Sequence, residues 1–233
     1  MTELSTPGSY QNNKGQITGA TVEMVRELLR RVNHSGNISI YPWARAYKTL
    51  LDQDNIALFE TARTKEREKL FKWVGPIKKV SWGFYAIKNK KIHLNSLNEA
   101  KEVDLICTYN NDYKSEFLKK HNFENLILPT RPLQCLKMLM LDRVSLITTT
   151  DIALSSLAKK AGIEDSELTL VYTIDTYYLY IALSKNVADE KVLMWQQTLD
   201  KMKQDGTFEK YYQGIYPSEM IHDINDANKQ YFP

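Results

Sequence analysis

The chain has 233 residues, 43% of them hydrophobic and 25% charged, with only nine glycines and seven prolines. That profile belongs to a folded protein with a sizeable core, and it excludes a disordered, collagen-like or stapled mini-protein class. Lysine and arginine exceed the acids by 31 to 28, a net charge of +3, too small to imply a polyanionic partner, and with no basic aromatic repeat a nucleic-acid binder is not expected.

No apolar run approaches the ~20 residues that span a bilayer. Met1-Thr2-Glu3 opens without the charged and apolar regions of a signal peptide, which leaves either a cytosolic protein or a mature form shorn of its leader. Cys107 and Cys135 are too far apart for a CxxC motif and have no histidine at zinc spacing, so neither metal nor cofactor is expected. Two core thiols and one disulfide both stay open, because sequence does not reveal their geometry.

In chain order, the turn Asn12-Asn13-Lys14-Gly15 precedes an amphipathic helix over 20–32, with Val22, Val25, Leu28, Leu29 and Val32 on one stripe. A loop at 33–37 leads to a short strand at 38–41. Pro42 starts a second helix through Trp43, Tyr47, Leu50 and Leu51, stopped at 52–55. A strand at 56–61 follows, and then a helical turn beginning at Thr64, whose hydroxyl is placed to cap it.

A long strand is expected at 80–87 and an aromatic one within 169–183. The lysines flanking the first (Lys78, Lys79, Lys88, Lys90, Lys91) read as a solvated strand edge and its turn. Between these strands lie a capping box at Ser96 and Glu99, strands at 103–108 and 144–149, and helices at 113–121, 132–141 and 151–161, the last ended by Gly162. An amphipathic helix at 190–202 and, after the Asp205-Gly206-Thr207 turn, a short aromatic helix complete the chain. The alternation predicts an α/β fold with mainly parallel sheets: a discontinuous outer lobe, 1–82 with 183–233, into which an inner lobe, 83–182, is inserted.

Several runs resemble one known family. Gly15-Gln16-Ile17-Thr18-Gly19-Ala20 is similar to the "dG.itGf" segment of the family 3 bacterial extracellular solute-binding proteins, and TARTKEREKLFKWVGP at 61–76 looks like their "T.eR...f.fs.P" signature. Tyr41-Pro42-Trp43-Ala44-Arg45-Ala46 and Asp205-Gly206-Thr207-Phe208-Glu209-Lys210 add further matches in family order. The resemblance implies a type II periplasmic-binding fold of two α/β lobes that close on a solute, export with the leader removed, and a monomer delivering to an ABC transporter permease.

Within that resemblance Arg67 falls on the arginine that grips the ligand carboxylate, a pairing that two parallel charge-assisted hydrogen bonds make strong. Ala62 and Thr64 match positions offering a backbone NH and a hydroxyl. Arg63, off that face, is expected to brace a neighbouring carboxylate. Trp43 is a candidate apolar wall or plain core, Arg45 a second anion contact, and Tyr10 and Glu3 rim residues or ordinary loop. From the inner lobe, Tyr109 and Asn110 lie in the loop expected to present backbone amides to the carboxylate, with Asp112 capping the next helix.

Relatives that hold an α-ammonium place an aspartate where this chain has Thr150, one residue before Asp151. Either Asp151 serves from a shifted register or the ligand lacks an α-ammonium, and the second is favoured. The expected partner is thus a small carboxylate-bearing solute, an amino acid or a related compound. A sensory ligand-binding domain is the alternative. A dehydratase-type or lyase-type enzyme is disfavoured because His34, His93, His121 and His222 are scattered and Glu3 is the one outer-lobe carboxylate on offer as a base.

Overall fold

The computed structural model describes residues 1–226; residues 227–233, assigned above to the outer lobe, lie outside the described residues. The chain forms two compact units, Met1–Lys79 with Tyr177–Pro233, and Val80–Thr176.

In the first unit β1 (Tyr10–Gln11) and β2 (Ile17–Thr18) pair antiparallel across a turn in which Asn12 Oδ1 accepts from the amides of Lys14 and Gln16 at 2.9 and 3.0 Å. Helix α1 (Ala20–Arg31) buries Val22, Met24, Val25, Leu28 and Leu29. It has no side-chain cap; Pro7 O instead accepts from Ala20 N, and Gly8 O from the amides of Thr21 and Val22, all at 3.1 Å. Helix α2 (Trp43–Asp52) starts directly after Pro42 and buries Trp43, Ala46 and Leu50. Strand β3 (Ala57–Ala62) and the long β4 (Phe71–Ile87) follow.

Two expectations for this stretch are corrected. Residues 38–41 do not form a strand: Ile40 makes one isolated parallel bridge to Thr2, whose amide donates to Ser39 O and whose carbonyl accepts from Tyr41 N, both at 3.0 Å. A single bridge is no ladder. Residues 64–70 form successive turns and not a helix. Arg67 N donates to Thr64 O and Leu70 N to Arg67 O, each at 3.0 Å, the three-residue spacing of turns and not the four-residue ladder of an α-helix. Strand β4 also begins well before the expected 80, and Lys78, read as solvated, is 2% exposed.

In the second unit, Ser96 Oγ accepts from Glu99 N at 3.4 Å, but the segment it caps is a short 3-10 turn, Asn98–Glu102. Then come β5 (Ile106–Cys107), α3 (Tyr113–Lys120), β6 (Leu126–Ile127), α4 (Pro132–Met140), β7 (Leu146–Thr150) and α5 (Asp151–Ala161). Gly162 ends α5 with φ 70°, a left-handed conformation that glycine adopts without steric cost. Strand β5 pairs parallel with both β6 and β7, and β7 pairs antiparallel with β4. Strand β5 is much shorter than the run expected at 103–108, and β6 was not anticipated.

Cys107 of β5 and Cys135 of α4 are joined by a disulfide, with Cα atoms 5.3 Å apart. It lies in the core of this unit with Tyr85, Leu136, Leu139, Val144 and Ile147. The question left open by the sequence is thereby settled in favour of the bridge.

The chain returns to the first unit along β8 (Leu168–Ser184), whose later half pairs antiparallel with β3 from Ala57↔Leu183 to Ala62↔Leu179. Both changes of unit occur inside β4 and β8, the strands that also contain positions 82 and 182. Helices α6 (Asp189–Gln204), α7 (Thr207–Tyr212) and the unanticipated α8 (Ser218–Asn225) complete the first unit. Arg31 pins α1 to the α6–α7 turn, donating to Asp205 at 2.6 Å and to Thr207 at 2.8 Å.

A bridge closing a loop of sequence separation 28 restricts the unfolded chain by roughly 3–4 kcal/mol. The variant C107A/C135A is therefore expected to lower the urea midpoint of the second unit, read from the fluorescence of Trp82. An unchanged midpoint in non-reducing buffer would contradict this.

Candidate functional site

The site builds outward from α2. Trp43 and Tyr47 are one helical turn apart, so their rings project from the same face and stack, with centroids 5.6 Å apart and planes 25° from parallel. Arg67, on the turns after β3, lays its guanidinium over both rings, 5.6 Å from the centroid of Trp43 and 4.9 Å from that of Tyr47. The arginine is 2% exposed. A cation over aromatic faces is held by the ring quadrupoles, and the planar fork of a guanidinium is the group whose shape matches a carboxylate.

The aromatic bed continues. Tyr47 meets the edge of Phe71 at 5.6 Å, Phe71 meets Trp73 at 5.7 Å, and Trp73 meets Tyr180 at 6.0 Å, all near-perpendicular. A second arginine sits at its far end. Arg63 lies 5.8 Å over Trp73 and 5.2 Å over Tyr180, and its Nε and a terminal nitrogen each donate to Glu68 at 2.7 Å. Those two bonds hold the Glu68 carboxyl below its ordinary pKa. Arg63 thus braces a carboxylate, as expected, and in doing so ties the two ends of the 63–68 segment together.

Ala62 is the last residue of β3 and buried. Thr64 accepts from Arg67 N through its carbonyl at 3.0 Å and its hydroxyl at 3.4 Å. It therefore shapes the turn that carries Arg67, although no helix follows it. Arg45 is exposed and lies 4.6 Å over the ring of Tyr41, apart from the Arg67 bed. Tyr10 and Glu3 are half-buried, Tyr10 paired with Thr18 in the hairpin and Glu3 next to the Thr2 bridge. Sequence reasoning missed Tyr47, Trp73 and Tyr180 as parts of the site. The i, i+4 spacing of Trp43 and Tyr47 was the signal for the first.

In the second unit, the parallel pairing of β5 with β7 sets Thr108 beside Thr148, whose hydroxyl meets that of Thr108 at 2.7 Å. The loop with Tyr109 and Asn110 and the start of α5 at Asp151 therefore leave neighbouring strand ends. Expectation is narrowed here. The amides of Thr108, Asn110 and Asp112 already donate, to Ile127 O at 3.0 Å, Pro129 O at 3.0 Å and Ser115 Oγ at 3.2 Å. Asp112 caps α3, as expected, with Oδ1 accepting from Lys114 N at 2.5 Å. Thr150 caps α5 by accepting from Ala153 N at 3.2 Å, while Asp151 is exposed and accepts from Ile152 N at 2.9 Å.

Among the described residues no group of three or more histidine, cysteine or acidic side chains is placed to hold a metal ion, and no helix is long and apolar enough to cross a membrane. No match was found among curated protein sequences.

Solved structures are similar over nearly the whole chain. A histidine kinase sensor domain described as similar to periplasmic binding proteins superposes with a TM-score of 0.81 at 14% identity, covering 91% of this chain and 94% of that one. An ancestral arginine-binding protein bound to arginine gives 0.79 at 16% identity, covering 93% and 96%. The arginine-, lysine-, histidine-binding protein ArtJ of Geobacillus stearothermophilus gives 0.77 at 14% identity, covering 92% and 93%. These likenesses establish the two-lobed type II periplasmic-binding fold. The family model for bacterial extracellular solute-binding proteins, family 3, matches residues 1–217, and the chain belongs to that family.

Proposed function

We propose that this protein captures a small carboxylate-bearing solute, an amino acid or a close relative, outside the cytoplasmic membrane, and that it catalyses no reaction on it. The observation that carries the reading is the buried Arg67 guanidinium placed over the rings of Trp43 and Tyr47 at the turn shaped by Thr64. Arg67 supplies the two-pronged grip on the carboxylate. Trp43 and Tyr47 form its apolar backing, and Ala62 and Thr64 contribute a backbone amide and a hydroxyl beside it. Arg45, Tyr10 and Glu3 are outlying contacts of the first unit, and Tyr109, Asn110 and Asp151 are those of the second.

The family and the amino-acid-binding neighbours support this chemistry, and the Cys107–Cys135 disulfide fits an oxidising compartment. Catalysis would need a general base near the carboxylate grip. Of the two acids that flank it in sequence, Glu66 and Glu68, the second is bound by Arg63. The protein then acts as a monomer that hands its cargo to an ABC transporter permease. A second reading keeps the binding and changes its consequence: the sensor-domain neighbour, with its TM-score of 0.81, favours a ligand-binding domain that signals. Stimulation of ATP hydrolysis by a reconstituted permease complex separates delivery from sensing.

Because a ligand that binds only the native state stabilises it by about 2.7 kcal/mol at a hundredfold excess over Kd, a thermal-shift panel of amino acids and small organic acids tests the reading. A cognate solute is expected to raise the Tm by roughly 5–10 °C. Arg67→Ala and Arg67→Gln should abolish that rise. A full response in either variant removes Arg67 from the site. With Asp151 exposed on its helix terminus, organic acids without an α-ammonium are expected to perform at least as well as the matching amino acids.

The Arg63–Glu68 brace has its own pH signature. Glu68 has a lowered folded pKa, so its contribution is present above the ordinary carboxylate pKa of about 4.3 and is lost as pH falls through the lower folded value. Since the carboxylate is partly exposed, screening limits that contribution to about 1 kcal/mol or less. Glu68→Gln is expected to melt slightly earlier than wild type at pH 7, with the gap closing in acid. A gap that widens on acidification would contradict the assignment.

A further inference from the structure

Glu60 interrupts the β3–β8 ladder. Phe59 pairs with Ile181 and Thr61 with Tyr180, so Glu60 is the extra residue of a β-bulge, and it has φ 62°, in the left-handed region that suits glycine better than a branched, charged chain. Its side chain is 3% exposed, as is that of Lys78 on β4, and the two ions meet at 2.5 Å. The same carboxylate oxygen accepts from the Thr21 hydroxyl at 2.7 Å, at the positive end of α1.

The packing around this carboxylate is tight. A β-carbon on Gly8 would collide with Glu60 Oε1, with the Thr21 hydroxyl oxygen and with the Tyr216 hydroxyl. Lys78 Nζ also lies 4.9 Å from the centroid of the Tyr216 ring. Burial alone would lower the Lys78 pKa, but the charge of Glu60, its hydrogen bond and the neighbouring Tyr216 together outweigh it and the net shift is upward, so the lysine stays protonated. One carboxylate therefore bonds to the start of α1 and to β4 just before it leaves the first unit, from the bulge of β3, and packs closely against Gly8 of the 5–9 loop.

We propose that Glu60 and Lys78 are positioning residues: their buried pair holds the β3 bulge, and the bulge sets which face the chain from Thr61 to Arg67 presents. This rests on the reading of Arg67 as the solute grip. Side chains alternate along a strand, so one inserted residue reverses the facing of everything after it. A buried ion pair is a poor source of net stability compared with apolar side chains of similar size, and its distinctive contribution is to specify one arrangement. The pair costs desolvation and a strained backbone at Glu60. The benefit is a defined exit from β3 directly ahead of the arginine segment.

The test uses the full chain and separates positioning from simple stability. Glu60→Gln leaves the lysine buried without a counter-charge and can fail to fold, so the informative variant is Glu60→Gly with Lys78→Met, which relieves the strained φ and removes both charges. Its Tm is expected to stay within a few degrees of wild type. Amide hydrogen exchange in unliganded protein is expected to accelerate at least tenfold across 61–70, with the amides of α6 unchanged. Exchange across 61–70 that stays at the wild-type rate, or that rises in step with α6, overturns the proposal.

Because exchange is measured without solute, its outcome stands whatever Arg67 binds. L-arginine and L-glutamine serve as binding probes. With either one that binds wild type, the double variant is expected to lose at least tenfold in affinity, and unchanged affinity counts against positioning. Persistence of the probe response in Arg67→Ala would instead overturn only the assignment of the grip.

Discussion

A guanidinium withdrawn from water is expensive unless its faces and edges are both provided for, and the first unit is arranged around that requirement. Arg67 has its faces on Trp43 and Tyr47. The rings exist as a platform because they are a helical turn apart on α2, and α2 presents them because Ala46 and Leu50 bury the adjoining stripe. The arginine reaches the platform because the 63–70 segment folds as turns around Thr64 and not as a helix. Each link is local. Together they seat a buried guanidinium on an ordinary strand-to-strand connection.

Two charged pairs flank that seat and differ in kind. Arg63 and Glu68 are bidentate, lie on the aromatic bed and are partly solvated, so they close the turns like a clasp and respond to acid. Glu60 and Lys78 are almost fully enclosed and fix the bulge through which the chain leaves β3. The first pair holds the ends of the segment that carries Arg67. The second decides the direction in which that segment starts.

The second unit contributes a different material. Parallel strands β5 and β7 end side by side, their threonines hydrogen-bonded, and the loops beyond them lead into capped helices. Many amides there are already used in the caps and in strand-end bonds. The disulfide between β5 and α4 stiffens the same strand end.

The sequence by itself determined the elements whose signal is periodic or punctuated. The helices at 20–32, 113–121, 132–141 and 151–161 were legible because an apolar stripe repeats every three to four residues and because Pro42, Asp112 and Gly162 mark ends through fixed backbone preferences. It also carried the family motifs, and with them Arg67 as the residue to watch and Arg63 as a brace. Tertiary structure alone decided what depends on neighbours distant in sequence. The strand expected at 38–41 lacked a full partner, the helix expected at 64 folded as turns between two strands, and Lys78, read as a surface lysine, was taken into the core by Glu60, eighteen residues away. The joining of Cys107 to Cys135, the bulge at Glu60 and the aromatic bed from Trp43 to Tyr180 belong to the same class. Local pattern encodes what a segment prefers alone, whereas pairing, burial of charge and register are set by which surfaces the folded chain brings together.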